Sequence, residues 1–374
     1  MPGKSRVRAA VRYSRFHPRC LLACALTLIA LAGCDREPAV DADDDSPVTL
    51  TLVTDWRAQA EHGGFYQAQA RGFYDDAGLN VRLRQGGPGV NVGQLVAAGA
   101  VELGLGSNAF IAMNLAAQDA PVRAVMAVFQ KDPQVIITHP RDDVAGLEDL
   151  RGEPIMLSDA AIGAFWQWLK ARFGYEDAQI RRYTFNLAPF LDNPRAVQQG
   201  YVTSEPYMIE RALGAAPQVF LLADEGYPGY AAMVLANERI LERHPDAVRA
   251  FVAATARGWY DYLHGDPSPG NALILRDNPE MSSDVLEQAH ARLHEYAIVE
   301  TPDTRRDGIG TMRESRWQEF HAVMSAQGLY APAMDWRRAF TLDFLPAPDV
   351  RAGAEADRSA GDDPASPTSP SPRE

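Results

Sequence analysis

Residues 48–81 read VTLTLVTDWRAQAEHGGFYQAQARGFYDDAGLNV. Val48–Val53 alternates threonine with branched or long apolar side chains, the period-2 pattern of a strand with one face buried. Gly64–Arg71 has helical character, and Leu79–Leu83 is again strand-like. A strand, a helix and a strand in this little chain make a βαβ unit, whose two strands lie parallel in one sheet. Ligands of open α/β sheets bind just beyond the carboxyl ends of strands, so Asp55 and Trp56, directly after the first strand, are the first candidates for a site. Two glycines at the start of the helix, Gly63 and Gly64, admit close approach of another group to the backbone. Trp56, Phe65 and Tyr66 offer aromatic faces, Phe65 being the one better suited to the core.

The same alternation continues outward. Further strands are expected at Val101–Leu105, Ala124–Val128, Gln134–Thr138, Pro154–Leu157, Arg181–Phe185, Gly200–Thr203, Val219–Leu222 and Ala231–Ala236. Helical stretches fall at Val92–Ala98, Ala161–Arg172 and Pro206–Leu213. This order implies mainly parallel sheets covered on both faces. In Pro245–Leu263, Val248, Phe251, Val252, Thr255, Trp259 and Tyr262 keep to one side of a helix, with Pro245 suited to its first turn. After Gly270 helices predominate up to about Tyr330. A chain of 374 residues exceeds what one core usually spans, so two α/β lobes are expected.

Several strand ends carry a polar residue: Ser107 and Asn108, then Gln130, Ser158, Asn186 and Glu205. Converging polar groups of this kind line small-molecule clefts, although serine and asparagine also cap helices. His62, Tyr66, Tyr207 and Tyr230 complete the candidate contacts. Gly104–Ala109 (GLGSNA) has the form of a dinucleotide fingerprint, but Ala124–Val128 lacks the acidic residue that would bind the ribose, so NAD is excluded. No nucleophile elbow, phosphate-binding P-loop or zinc-protease motif is present. His290 and His294 share a helix face, but with only Glu295 beside them they make a poor metal site, and no metal or cofactor is expected.

Composition narrows the partners. Apolar residues form 46% and charged residues 23%, as in ordinary globular domains. The formal net charge of −13 disfavours nucleic acid. Six of the cations, Lys4 to Arg19, precede the apolar run Cys20–Ala32 (CLLACALTLIALA), the layout of a secretory signal too short to span a bilayer. Leu31-Ala32-Gly33-Cys34 has the form of a bacterial lipobox, with Cys34 as the lipidated residue. The other cysteines are Cys20 and Cys24, so the body of the chain can hold no disulfide. Pro346–Glu374, rich in Pro, Ala, Asp and Ser, is expected to be a disordered tail.

The stretch His62–Val81, the Asp55-Trp56 pair before it, Leu95–Gly99 (LVAAG), Val101–Gly104 (VELG) and Gly146–Gly152 (GLEDLRG) resemble solute-binding proteins of ABC importers. They resemble in particular the branch that binds thiamine-pyrimidine precursors such as formyl-aminopyrimidine, and more distantly the alkanesulfonate binders. The resemblance implies a type II periplasmic-binding-protein fold, two lobes joined by crossovers near Thr138–Pro140 and Tyr227–Ala231. The expected organisation is a signal at 1–33, an acidic linker at 34–46, lobe one at 47–138 and 229–345, lobe two at 139–228, and a tail at 346–374. It also implies a small heterocyclic ligand and an ABC permease as partner; a monomer is expected in the periplasm, held by lipid on Cys34 at the inner membrane, since Asp35 after the cysteine resembles a retention signal there, with the outer membrane as alternative. A fungal enzyme of the same family builds the thiamine pyrimidine, using a histidine matching His62, pyridoxal phosphate, and iron near a cysteine cluster. The absence of cysteine after Cys34 speaks against that chemistry here. The expectation is therefore a binding protein and not an enzyme, with a secreted enzyme on the same scaffold or a sensor subunit as alternatives.

Overall fold

The computed structural model describes residues 47–346. The expected secretory signal, the expected lipidation site Cys34, the acidic linker and residues 347–374 lie outside them. The strands are β1 (Val48–Val53), β2 (Leu79–Arg84), β3 (Leu103–Asn108), β4 (Val122–Phe129), β5 (Gln134–Thr138), β6 (Ile155–Leu157), β7 (Ile180–Arg182), β8 (Val197–Tyr201), β9 (Gln218–Leu221) and β10 (Ala231–Asn237). They form two five-stranded sheets of matching order, β2-β1-β3-β10-β4 and β7-β6-β8-β5-β9. The opening βαβ unit is as expected: β1 and β2 are parallel and in register from Val48 against Leu79 to Val53 against Arg84.

The sheets are mixed, which corrects the expectation of mainly parallel ones. β10 runs antiparallel to β3 and β4, and β5 antiparallel to β8 and β9. The reason is topological. In each sheet the odd strand is the one that has just arrived from the other sheet, so it enters from the shared side and runs against its neighbours.

The first passage also falls earlier than expected. β4 belongs to the first sheet and β5 to the second, so the chain crosses at 130–133, one strand ahead of Thr138–Pro140. The return lies between β9 and β10, at 222–230, and includes Tyr227.

The helix Pro245–His264 buries Val248, Phe251, Val252, Thr255, Trp259 and Tyr262 completely, the face that its periodicity marks. It lies against helix Gly63–Ala70, and here the glycines find their use. A Cβ on Gly64 would stand 2.1 Å from the Trp259 ring, one on Gly63 2.2 Å from Tyr262, and one on Gly258 2.4 Å from the Gly64 carbonyl. The close approach that these glycines allow is thus that of a second helix. His290 and His294 have a structural task as well. Their Nε2–H groups donate to the carbonyls of Tyr262 and Leu263 at 2.8 and 3.0 Å, satisfying acceptors that the end of the helix leaves open.

Candidate functional site

The carboxyl ends of β1, β3, β6, β7 and β8 deliver their following residues to the region between the two sheets. After β1 the chain passes Asp55 and Trp56 and enters a tight turn, Ala60–His62, that feeds helix Gly63–Ala70. His62 is 2% exposed, and its Nε2 donates to Asp55 Oδ1 at 3.0 Å. Its Nδ1 is buried without a partner. Burial opposes the charge on Asp55, but His62 and the neighbouring Ser107 hydroxyl outweigh it and hold the carboxyl below its ordinary value.

Glu61 is buried at 5% exposure and accepts a hydrogen bond from the Thr203 hydroxyl, joining the segment after β1 to the one after β8. Burial raises its pKa, against the Thr203 bond and the His62 charge; the nearby Asp55 raises it further. Glu205 stands at the start of helix Glu205–Leu213. It accepts from the Tyr201 N–H at 2.9 Å and the Tyr183 hydroxyl at 3.5 Å. Burial raises Glu205 too, and the charge of Glu61, from the other lobe, adds to this.

Aromatic rings meet beside these acids. Trp56 lies 4.5 Å, centroid to centroid, from Phe185, which in turn lies 5.0 Å from Tyr183. Phe185 is 42% exposed, and its backbone is left-handed, with φ of 59°. A bulky residue in that region is strained, and such strain collects at functional sites. The expected strand Arg181–Phe185 accordingly stops at Arg182, and Phe185 sits in the turn that follows.

Asp55, Trp56, His62, Ser107 and Glu205 are therefore brought into one neighbourhood. The other candidates have partners of their own. Tyr66 is buried in a small cluster with Ala58, Ile274 and Leu286, its hydroxyl 3.3 Å from Asp277. Asn108 caps helix Ala109–Ala117 through the Phe110 N–H, and Ser158 caps Asp159–Ile162 through the Ala161 N–H. Asn186 is exposed and accepts from the Ala188 N–H. Gln130 donates to the carbonyls of Ala127 and Thr311. Tyr207 reaches Asp284 at 3.2 Å, while Tyr230 lies under the Arg316 guanidinium and accepts from the Arg313 N–H.

Sequence reasoning missed Glu61, Tyr183, Phe185, Tyr201 and Thr203. Glu61 carried a signal, as an acid placed between a strand end and a glycine pair. The others lie on short second-lobe elements with little periodicity.

Asp132, in the first crossing, was missed as well. It is fully buried, accepts from the Gln134 N–H at 3.0 Å, and has its second oxygen unpartnered. Burial pushes its pKa up to about 8, against the Gln134 N–H and the Arg316 charge. Arg316 itself donates to the carbonyls of Gln130, Pro228 and Gly229, tying both crossings together. Among the described residues no group of three or more His, Cys, Asp or Glu is arranged to hold a metal ion. Among them, too, no helix is long and apolar enough to cross a membrane.

Two lobes of this strand order, joined by two crossings with polar and aromatic contacts between them, have the periplasmic-binding-protein fold. The periplasmic aliphatic sulphonate binding protein SsuA of Escherichia coli superposes with a TM-score of 0.59 at 14% identity, covering 79% of this chain and 92% of that one. The chain belongs to the NMT1/THI5 like family, whose pattern matches residues 59–269. It is similar to the riboflavin-binding protein RibY of Chloroflexus aurantiacus, 24% identical over 304 residues that cover 79% of this chain and 86% of the relative. It is similar also to the formylaminopyrimidine-binding protein of Halalkalibacterium halodurans, 23% identical over 322 residues, with coverage of 82% and 93%.

Proposed function

We propose that this chain is the solute-binding component of an ABC importer and captures a small, flat, nitrogen-rich heterocycle between its lobes. The observation that carries the reading is the meeting of Asp55, Glu61 and His62 from one lobe with Thr203, Glu205 and the Phe185 ring from the other. Carboxyl oxygens accept from ring or amino N–H groups, and Trp56 and Phe185 offer flat faces. Apolar contact distances of about 3.5 Å mean that a ring inserted between those two faces needs them about 7 Å apart. The lobes must therefore part to load the ligand and close on it afterwards. Closure then presents a two-lobe surface that distinguishes the loaded protein for a permease.

The similarity to riboflavin-binding and formylaminopyrimidine-binding proteins supports a ring of the pteridine-like or pyrimidine class. Chemistry on the ligand is disfavoured. The base beside Ser107 is Asp55, which His62 helps to hold below its ordinary value and so leaves a poor proton acceptor, and the chain has no cysteine after Cys34. We place the protein in the periplasm, lipid-anchored through Cys34, with β1–β4 and the segment from β10 to Leu345 as one lobe and β5–β9 as the other.

The deciding experiment is native mass spectrometry of protein purified without added ligand, followed by calorimetric titration with riboflavin and with formylaminopyrimidine. A copurified ring compound, or binding of either probe in the micromolar range or tighter, supports the reading; conversion of the bound compound during incubation refutes it. Fatty-acid labelling that is lost in Cys34→Ser, with an unchanged melting curve, tests the anchor.

A further inference from the structure

We infer that the cleft selects against charge: it takes a ligand without an anionic group and rejects the phosphate, sulfonate or carboxylate derivative of the same ring. This rests on the proposed binding role and adds the ligand's charge class to it. Three acids converge on the cleft, Asp55 and Glu61 from the first lobe and Glu205 from the second, while Asp132 lies in the crossing beside them. The basic group among them is His62, whose Nε2 is committed to Asp55.

Four cations close to these residues in the chain are turned elsewhere: Arg57 pairs with Glu280, Lys131 with Asp224 at 2.9 Å, Arg182 with Asp159 at 3.1 Å, and Arg211 with Asp284. Arg316 is occupied by the carbonyls of both crossings. An anion entering between the lobes would thus lose its hydration and gain none of these five cations in exchange, which is the costly form of burial. Protonation does not rescue it. Burial favours the neutral form of Glu61 and Glu205, yet a neutral carboxyl supplies at most one O–H donor and no positive charge. A neutral or cationic ring, in contrast, brings N–H donors to carboxyl oxygens. The unpartnered Nδ1 of His62 is one further polar contact awaiting a ligand. The fold does not impose this choice, since it consists of strand order and crossings; the side chains at the strand ends do.

The test uses matched pairs of probes: riboflavin against riboflavin 5′-phosphate, and 4-amino-5-hydroxymethyl-2-methylpyrimidine against its phosphate ester. Whichever ring binds, the form without phosphate should bind at least 100-fold tighter, and Glu61→Gln combined with Glu205→Gln should narrow that gap at least tenfold. Each single variant is examined beside the double one, with melting curves to establish folding. Equal or tighter binding of a phosphate ester overturns the inference, as does a gap that survives unchanged in folded variants. Should neither ring bind, the proposed ring class fails, and the mass and charge of the copurified ligand decide this point separately. A neutral or cationic compound upholds the selection and an anionic one overturns it. Thermal stabilisation by inorganic phosphate or hexanesulfonate in the millimolar range would also overturn it.

Discussion

The two lobes share one strand order and differ in how they hold their share of the cleft. In the first, β1–β4 and β10 run six to eight residues, and the 20-residue helix Pro245–His264 locks onto helix Gly63–Ala70 through three glycines. In the second, β6 and β7 have three residues each, and the helices Asp159–Ile162 and Ala188–Leu191 have four. The first lobe therefore presents Asp55, Glu61 and His62 from long strands backed by a tightly packed helix pair. The second presents Phe185 from a strained turn and Glu205 from the start of a helix. One topology can thus supply polar and aromatic groups from both lobes on differently built supports, because strand order sets where residues emerge while packing sets what holds them.

The largest effect that would sharpen this contrast is expected in that helix pair. Trp259 is fully buried between helix Gly63–Ala70 and Phe129, so Trp259→Ala should cost about 3–5 kcal/mol in denaturant titration. A loss under 1 kcal/mol would mean that Trp259 does not lock the two helices together.

Glu205→Ala comes next. Removing one partner of a charged hydrogen bond costs roughly 1.5–3 kcal/mol, so affinity for the bound heterocycle should fall tenfold or more, and less in Glu205→Gln, which keeps an acceptor oxygen. Because Glu205 also accepts from Tyr201 and Tyr183, a melting curve is needed beside the calorimetry. Lowered stability with unchanged affinity would make Glu205 a helix-start residue alone. Trp56→Ala should weaken binding by about 1–3 kcal/mol, by analogy with base–aromatic stacking, and remove the ligand's effect on tryptophan emission.

The crossings allow a test by pH. Asp132 ordinarily titrates near 3.8 and is raised to about 8 when folded, so the folded state favours its proton. Its contribution is best at low pH and is lost as pH rises from about 4 through 8. Asp132→Asn, whose amide oxygen still accepts from Gln134, should melt a few degrees above the parent at pH 8, with the difference shrinking towards pH 4. A constant difference across that range would remove Asp132 as the cause.

The smallest change is expected at Phe185→Gly. Relief of left-handed strain, roughly 1–2 kcal/mol, offsets the entropy cost of glycine and the loss of a half-exposed ring, leaving stability within about 1 kcal/mol. Trp56 emission should nevertheless shift, since its ring neighbour is gone.

Local pattern alone located what depends on near neighbours in the chain. The β1–helix–β2 unit, strand β5 and the buried face of helix Pro245–His264 came directly from period-2 and period-3.6 spacing of apolar residues. Asp55, Trp56 and His62 were found because a strand end is a local feature. The antiparallel course of β5 and β10, the crossing at 130–133, the pairing of Glu61 with Thr203 and the contact of Trp56 with Phe185 were decided only by the tertiary structure. The partners in those contacts are more than a hundred residues apart, and side-chain periodicity carries no information about which distant strand end will face which. The same holds for Gly63, Gly64 and Gly258. Their sequence announces a close approach, but that the approaching group is Trp259 and Tyr262, and not a ligand, follows only once the two helices are packed.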